Sequence, residues 1–282
     1  MNFPLELAAE VERNVLSALS EDIGSGDLTA LLTPGGHASK GTVISREDAV
    51  LCGRAWFDAC FNRLDPSAHV TWHAHDGEHI RAGQTLCHIR ADTRALLTAE
   101  RSALNFLQLL SGTATITRHF VDAIAGTKTK IVDTRKTLPG LRLAQKYAVR
   151  CGGGINHRLG LYDGILIKEN HIMAAGGIRP ALEQARHLAH GGMLIQIEVE
   201  TLEQLKEALD LNATLILLDN MTLKQMVEAV GINAGRAQLE ASGGVSLEQV
   251  RAIAETGVDR ISIGALTKNV RALDLSLRHV ES

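Results

Sequence analysis

Between Lys128 and Arg158 the chain places eight cations, Lys128, Lys130, Arg135, Lys136, Arg142, Lys146, Arg150 and Arg158, against a single acid, Asp133. The whole protein has a formal net charge of −3. Arginine forks match carboxylates, and lysine neutralises phosphate as a point charge. A basic stretch inside an acidic chain implies one specific anionic ligand rather than affinity for polyanions in general. Nucleic acid is not expected. Aromatic residues make up 3% of the chain, which leaves few stacking platforms, and Leu138, Pro139, Leu141 and Leu143 break the charge with packing positions.

Further chemistry-bearing residues follow short apolar runs. Ile131-Val132 leads into Asp133-Thr134-Arg135-Lys136, Ile165-Leu166-Ile167 into Lys168-Glu169-Asn170-His171, and Leu215 to Leu218 into Asp219-Asn220. In "LIQIEVE", alternation puts Ile195, Ile197 and Val199 on one face and Gln196, Glu198 and Glu200 on the other. An inward Glu198 needs a cation, a metal or water, and the structural alternative is a salt bridge with Lys168. The runs ending "ASGG" and "SIGAL" bring Ser242, Gly243 and Gly244, and Ile263, Gly264 and Ala265, to turns where backbone N–H groups can approach an anion. Arg101, four residues after Leu97 and three before Leu104, is expected on an apolar helical stripe, where it needs a counter-anion.

These residues need a scaffold that gathers strand ends. Six apolar runs recur from residue 130 to 266, and the later ones are separated by helical segments. Three of those segments open on Thr201, Thr222 and Ser246, which suit N-caps, and Gly231 and Gly257 suit helix stops. The alternation predicts a parallel sheet with right-handed crossovers, in the form of an incomplete α/β barrel with its site at the C-terminal strand ends. The earlier part reads as a separate α+β domain with helices near 5–20 and 54–63. There "DGEHIRAGQTL" resembles the turn of biotinyl and lipoyl carriers, lacks their lysine, and reads as a hairpin. The expected division is an N-terminal α/β sandwich domain over 1–112 and a barrel over 113–270. A tail at 271–282 packs back on the first domain, and a long helix from Thr93 towards Ile124 links the two.

The 282 residues allow one large domain or two smaller ones. The start "MNFPLELAAEVERN" has no basic residue ahead of an apolar run, and no apolar stretch approaches the roughly 20 residues of a membrane helix. Cys52, Cys60, Cys87 and Cys151 have no metal-site spacing and read as thiols in a reducing compartment. A cytoplasmic protein without a membrane partner is expected.

The stretch "DTRKTLPGLRLAQKYAVRCGGGINHRLGLYDGILIKENHI" resembles the signature of the quinolinate phosphoribosyltransferases, the carboxylating nicotinate-nucleotide pyrophosphorylases of NAD biosynthesis. "EDIGSGDLTA", "ERSALNFLQLLSGTAT", "IEVE", "LLDN", "ASGG" and "SIGAL" fall in the family's order and spacing, so the resemblance covers nearly the whole chain. It implies a homodimer, or a higher oligomer built from it, whose active sites each take one wall from the partner. It also implies an enzyme that joins quinolinate to 5-phosphoribosyl 1-diphosphate with Mg2+, giving nicotinate mononucleotide, pyrophosphate and CO2. By motif, quinolinate would be held by Arg135, His157, Arg158 and Lys168, with Arg101 from the partner and Thr134 and Lys136 in the binding turn. Lys136, Glu198 and Asp219 would serve the phosphoribosyl donor and its metal, the two carboxylates through water. Ser242, Gly243, Gly244, Ile263, Gly264 and Ala265 would cradle the 5-phosphate, and Lys136, Lys168, Glu198 and Asp219 would carry the catalysis.

Three other readings compete. One is a barrel lyase with a Schiff base on Lys168. Another is a relative with a different acceptor, such as nicotinate, or a paralogue associated with molybdate transport. The last is a non-catalytic dimeric scaffold. Two carboxylates on the acceptor suit the number of cations better than one.

Overall fold

A computed structural model describes residues 7–34 and 36–280 of the chain. In chain order the elements of its first part are α1 (Ala8–Ile23), β1 (Ala38–Ser45), β2 (Ala49–Val50), α2 (Arg54–Leu64), β3 (His69–Trp72), β4 (His79–Ile80), β5 (Thr85–Asp92) and α3 (Thr93–Ala123). Then come β6 (Lys130–Val132), α4 (Arg142–Cys151), β7 (Gly164–Ile167), α5 (Glu169–Ala175), α6 (Ile178–Leu188), β8 (Leu194–Val199) and α7 (Leu202–Asp210). The chain ends with β9 (Leu215–Asp219), α8 (Leu223–Asn233), β10 (Gln238–Ser242), α9 (Leu247–Glu255), β11 (Arg260–Ser262), α10 (Ala265–Lys268) and β12 (Leu275–Val280).

Two compact units form. The first takes the chain up to Arg118, Thr137–Gly153 and everything from Leu266 onward, and the second takes His119–Lys136 and Gly154–Ala265. From sequence, the chain was expected to divide at 112/113 and at 270/271, with the tail returning to the first domain; in the structure the chain passes between the units four times, the extra excursion being Thr137–Gly153. The first unit holds an antiparallel sheet in the order β12-β1-β5-β3 and a small β2-β4 pair. β12 runs antiparallel to β1, from Lys40 opposite Val280 to Ser45 opposite Leu275, and the last two residues of the expected tail lie outside the described residues. In β5, Cys87, Ile89 and Ala91 are buried while His88 and Arg90 are exposed, the period of two that a half-covered strand requires. These residues join Trp56, Phe57 and Phe61 of α2 and Leu96, Leu107 and Leu110 of α3 in one core. The hairpin expected at residues 76–86 does not form. β4 pairs with β2 while β5 pairs with β1 and β3, so the two strands flanking that turn belong to different sheets.

The second unit is the incomplete barrel, six parallel strands in the order β6-β11-β10-β9-β8-β7. Its covering helices bury residues at i, i+3 and i+4: Leu205, Ala208 and Leu209 in α7, and Val250, Ile253 and Ala254 in α9. β9, with Leu215 to Leu218 all buried, has the continuous apolar run of a strand covered on both faces. No ladder joins β6 to β7 among the described residues. The outer edge of β6 is met instead by a single parallel bridge from Val132 to Ile155. Thr201 and Thr222 cap α7 and α8 by accepting from the N–H groups of Gln204 and Gln225. Ser246 makes no such cap, because its hydroxyl is turned to the Glu248 carboxylate. Gly257 follows α9 with φ of 93°, but Gly231 does not stop α8, which continues to Asn233 and ends on Ala234 with φ of 46°.

Two glycines should respond oppositely to the same change. Gly231 is exposed inside α8, and a Cβ there meets nothing within 4 Å. Gly152, ending α4, faces α3, and a Cβ there would stand 2.6 Å from the Thr117 Cβ. Gly231→Ala should stabilise the protein by about 0.5–1 kcal/mol. Gly152→Ala should destabilise it by about 1–3 kcal/mol through overpacking. Denaturant titrations of the two variants check this, and equal signs would refute it.

Candidate active site

Every strand of the barrel delivers polar or small residues at its C-terminal end. Asp133 follows β6 and has no exposure to solvent. Its carboxylate accepts the Asn156 side-chain amide at 2.7 Å and the His157 backbone N–H at 2.8 Å. It therefore fastens the turn carrying His157 and Arg158 to the end of β6. Within that turn the Arg158 backbone N–H donates to His157 Nδ1 at 2.8 Å, and His157 Nε2 lies 2.7 Å from Gln196 Oε1. The Arg158 guanidinium donates to the Gly164 carbonyl at 2.9 Å. Its pKa is pulled down first by burial and then by the charge of Arg135, with Asp163 opposing. Arg135 Nε is buried without a hydrogen-bond partner. Two guanidinium groups thus lie near enough for one to disfavour the charge of the other, and one of them keeps a buried donor unpaired.

Lys168 and Glu198 meet at 3.2 Å, the salt bridge given above as the structural alternative. With Lys168 half exposed, the pair adds little stability. Asp219 ends β9, on the same face as Glu198 by the register of β8 with β9. It accepts from the Asn220 side chain at 2.7 Å. Asn220 is left-handed, with φ of 53°, and its N–H donates to the Ser242 carbonyl at 3.0 Å. Gly243, with φ of 115°, turns directly against the Asn220 side chain, so no other residue fits there. Gly244 continues that turn in the open. After β11, a Cβ on Gly264 would stand 2.9 Å from Lys136 Cδ and 3.5 Å from Thr134 Oγ1. Thr134 Oγ1 also accepts the Lys136 N–H at 3.0 Å. These turns lie side by side on one edge of the sheet.

Several expectations need correction. The Ile263 N–H is not available to a ligand, because it donates to the Val132 carbonyl at 2.9 Å and extends the β6–β11 pairing. Gly264 and Ala265 are left to offer donors there. α10 has only four residues, too few to lend a helix dipole. The eight cations do not converge. Lys128 pairs with Asp259 at 2.8 Å, Lys130 opens β6 at the opposite edge, and Arg142, Lys146 and Arg150 sit on α4 in the first unit. Arg135, Lys136 and Arg158 remain at the strand ends, joined by Lys168. Arg101 is exposed and off the apolar stripe, because α3 buries Leu96, Ala99, Ala103, Leu104 and Leu107 instead. It lines a cleft of the first unit with Arg13, Glu21, Asp22 and Asn105. Asp133, Asn156, Gln196, Asn220 and Glu240 were not selected from sequence. The lone acid in the basic stretch and the shared face of Gln196 and Glu198 were available signals.

Among the described residues no three His, Cys, Asp or Glu side chains cluster as metal ligands, and no helix is long and apolar enough to cross a membrane. Arg135, Lys136 and Lys168 at the same strand ends as the carboxylates of Glu198 and Asp219, with glycine turns after β10 and β11, make the pattern of a phosphoribosyl-transferring barrel. Comparison with known families agrees. Residues 27–111 match the N-terminal domain of quinolinate phosphoribosyl transferase, and residues 113–278 match its C-terminal domain. The chain belongs to this family. It is 46% identical over 270 residues to the nicotinate-nucleotide pyrophosphorylase (carboxylating) of Mycobacterium leprae, covering 92% of this chain and 94% of that protein. It is 42% identical over 257 residues to the probable enzyme of that name from Bacillus subtilis, covering 91% and 89%. The solved nicotinate-nucleotide pyrophosphorylase of Francisella tularensis superposes with a TM-score of 0.94 at 44% identity, over 99% of this chain and 98% of that one.

The anchoring role of Asp133 can be measured without substrate. Asp133→Asn weakens a charge-assisted acceptor of about 1.5–3 kcal/mol. Hydrogen exchange at the His157 amide should speed by roughly tenfold or more. Unchanged protection of that amide would refute the anchor.

Proposed function

We propose that this chain transfers the phosphoribosyl group of 5-phosphoribosyl 1-diphosphate to quinolinate and releases pyrophosphate and CO2, yielding nicotinate mononucleotide for NAD biosynthesis. The observation that carries the reading is the mutual repulsion of Arg135 and Arg158 over a bare buried donor. A small dianion relieves it. Arg135 and Arg158 then take the two carboxylates with Lys168, while His157 shapes the turn that presents them. Lys136, Glu198 and Asp219 serve the donor, and Ser242, Gly243, Gly244, Gly264 and Ala265 receive its 5-phosphate.

The ring nitrogen attacks the anomeric carbon as the bond to pyrophosphate breaks. Positive charge grows on the sugar, where Glu198 and Asp219 stabilise it. Lys136 offsets the negative charge gathering on the leaving group. The positive charge of the pyridinium nitrogen so formed stabilises the carbanion left on the adjacent ring carbon when its carboxylate departs as CO2, and a proton then caps that carbon. Two carboxylates without a third metal-ligating side chain suit Mg2+, which keeps most of its water. Glu198 and Asp219 would hold it through that water, and when bound it neutralises pyrophosphate. Glu198 accepts from the Lys168 ammonium at 3.2 Å, so the nitrogen on which a lyase would build its imine is engaged by a carboxylate. Four buried free thiols suit a reducing cytoplasm.

Pyrophosphate release should be rapid with quinolinate and far slower with nicotinate or nicotinamide. Arg135→Ala and Arg158→Ala should each weaken quinolinate binding by about 2 kcal/mol or more. Gly264→Val, which must displace Lys136, should instead raise KM for the phosphoribosyl donor. Donor effects from the arginines and acceptor effects from the glycine would reverse the assignment.

The working assembly is a homodimer in which Arg101 reaches the partner's acceptor site. Arg101 supports this by being exposed, without a hydrogen bond or ion pair among the described residues. An inactive Arg101→Ala protein mixed with an inactive Lys136→Ala protein should regain about a quarter of wild-type activity after statistical subunit exchange. No recovery after exchange verified by mass spectrometry would place both residues in one subunit's site.

A further inference from the structure

We propose that Glu240 is a positioning residue for the His157–Arg158 turn: together with Gln196 it fixes the imidazole of His157 in one tautomer, and so sets how that turn meets quinolinate. The proposal rests on the reading of quinolinate at this turn and adds a residue to it.

Glu240 lies in the middle of β10, in register with Leu217 of β9 and Arg260 of β11. It has no solvent exposure, and neither carboxylate oxygen has a hydrogen-bond partner among the described residues. A buried carboxyl group without partners is disfavoured and calls for a reason. Its neighbour is His157, whose Nε2 is 3.9 Å from Glu240 Oε1.

The protonation state of the ring follows from its bonds. A backbone N–H can only donate, and that of Arg158 points at Nδ1 from 2.8 Å. Nδ1 is therefore bare, and the proton of the neutral ring is on Nε2. Nε2–H then requires an acceptor, so the Gln196 amide must present its oxygen, which lies 2.7 Å away. The Gln196 nitrogen is left buried without a partner. One N–H is thus flanked by two acceptors, an amide oxygen and a carboxylate. In the other tautomer a bare Nε2 would face the lone pairs of both, and Nδ1–H would collide with the Arg158 N–H. Asp133 holds the His157 backbone, Arg158 lies between Arg135 and Asp163, Lys168 and Glu198 pair with each other, and Arg260 stands one strand beyond Glu240. With both nitrogens engaged, the ring donates nothing to substrate. It orients the backbone from which Arg158 reaches.

The test uses the full-length protein labelled with 15N-histidine. Two-bond 1H–15N spectra without substrate, with His157 assigned by its loss in His157→Gln, should show the Nε2–H tautomer at neutral pH. In Glu240→Gln an amide N–H can face Nε2, so the spectrum should show both tautomers. KM for quinolinate should rise about threefold to tenfold, with the donor KM and kcat nearly unchanged. Glu240→Asp keeps the carboxylate and should retain the wild-type tautomer and most of the wild-type KM. A purely structural role would make the shorter Asp at least as harmful as Gln. The proposal is overturned by a wild-type ring that is Nδ1–H or doubly protonated at neutral pH, by a Glu240→Gln spectrum identical to wild type, or by a Glu240→Asp protein that behaves like Glu240→Gln. Wild-type protein inactive with quinolinate would count against the reaction instead, and the spectra, which need no substrate, would still decide the tautomer.

Discussion

The carboxylate of Asp133 faces no water, and both of its oxygens are bonded to a segment more than twenty residues away in the chain. That segment is the only chain meeting the outer edge of β6 among the described residues. Without the carboxylate, Ile155 would be held by two backbone hydrogen bonds alone, from its own N–H to Ile131 and from the Asp133 N–H to its carbonyl. The position of Arg158 against Arg135 follows from this anchor, and so does the placing of the His157 ring beside Gln196 and Glu240. An acid in a basic pocket would ordinarily compete with the anion for its cations. Here it is buried and accepts from a backbone N–H and a side-chain amide of the turn it fastens.

The charges at the strand ends are arranged in two ways. On β7 and β8 they cancel, Lys168 against Glu198. At the end of β6 and in the following turn they add, Arg135 with Arg158. The strand ends therefore hold an excess of positive charge on one side and a neutral ion pair on the other. The same division suits a reaction in which one reactant is anionic and the transition state is cationic a few ångströms away. The glycine turns complete the floor by letting backbone come close where a side chain cannot fit, as Gly243 does against Asn220.

Much of this was legible in the residues. The six apolar runs became the six strands, because each carried its polar residues at one end and the later ones were separated by helices of period 3.6. Alternation in β8 placed Glu198 on the face that Lys168 reaches. Arg101 was misread because α3 is covered on more than one side. The positions i−4 and i+3 of Arg101 fit an apolar pattern, but Leu97 is only half-buried and the true stripe runs through Leu96, Ala103 and Leu107. The basic stretch was overcounted for a related reason. Nearness in sequence says nothing about a chain that leaves the barrel at Thr137 and returns at Gly154. Glu240 could not be chosen, since a single buried acid in a strand is defined only by what lies across the lumen.

The barrel is stitched unevenly. Separating β9 from β10 would break a ladder of five paired residues, whereas the outer edge of β6 is closed by one bridge. Opening concentrates where the fewest bonds are lost, and that place borders Arg135 and the turn of His157. The barrel thus has a soft hem, and the residues that hang from it are the ones whose spacing changes first when it loosens.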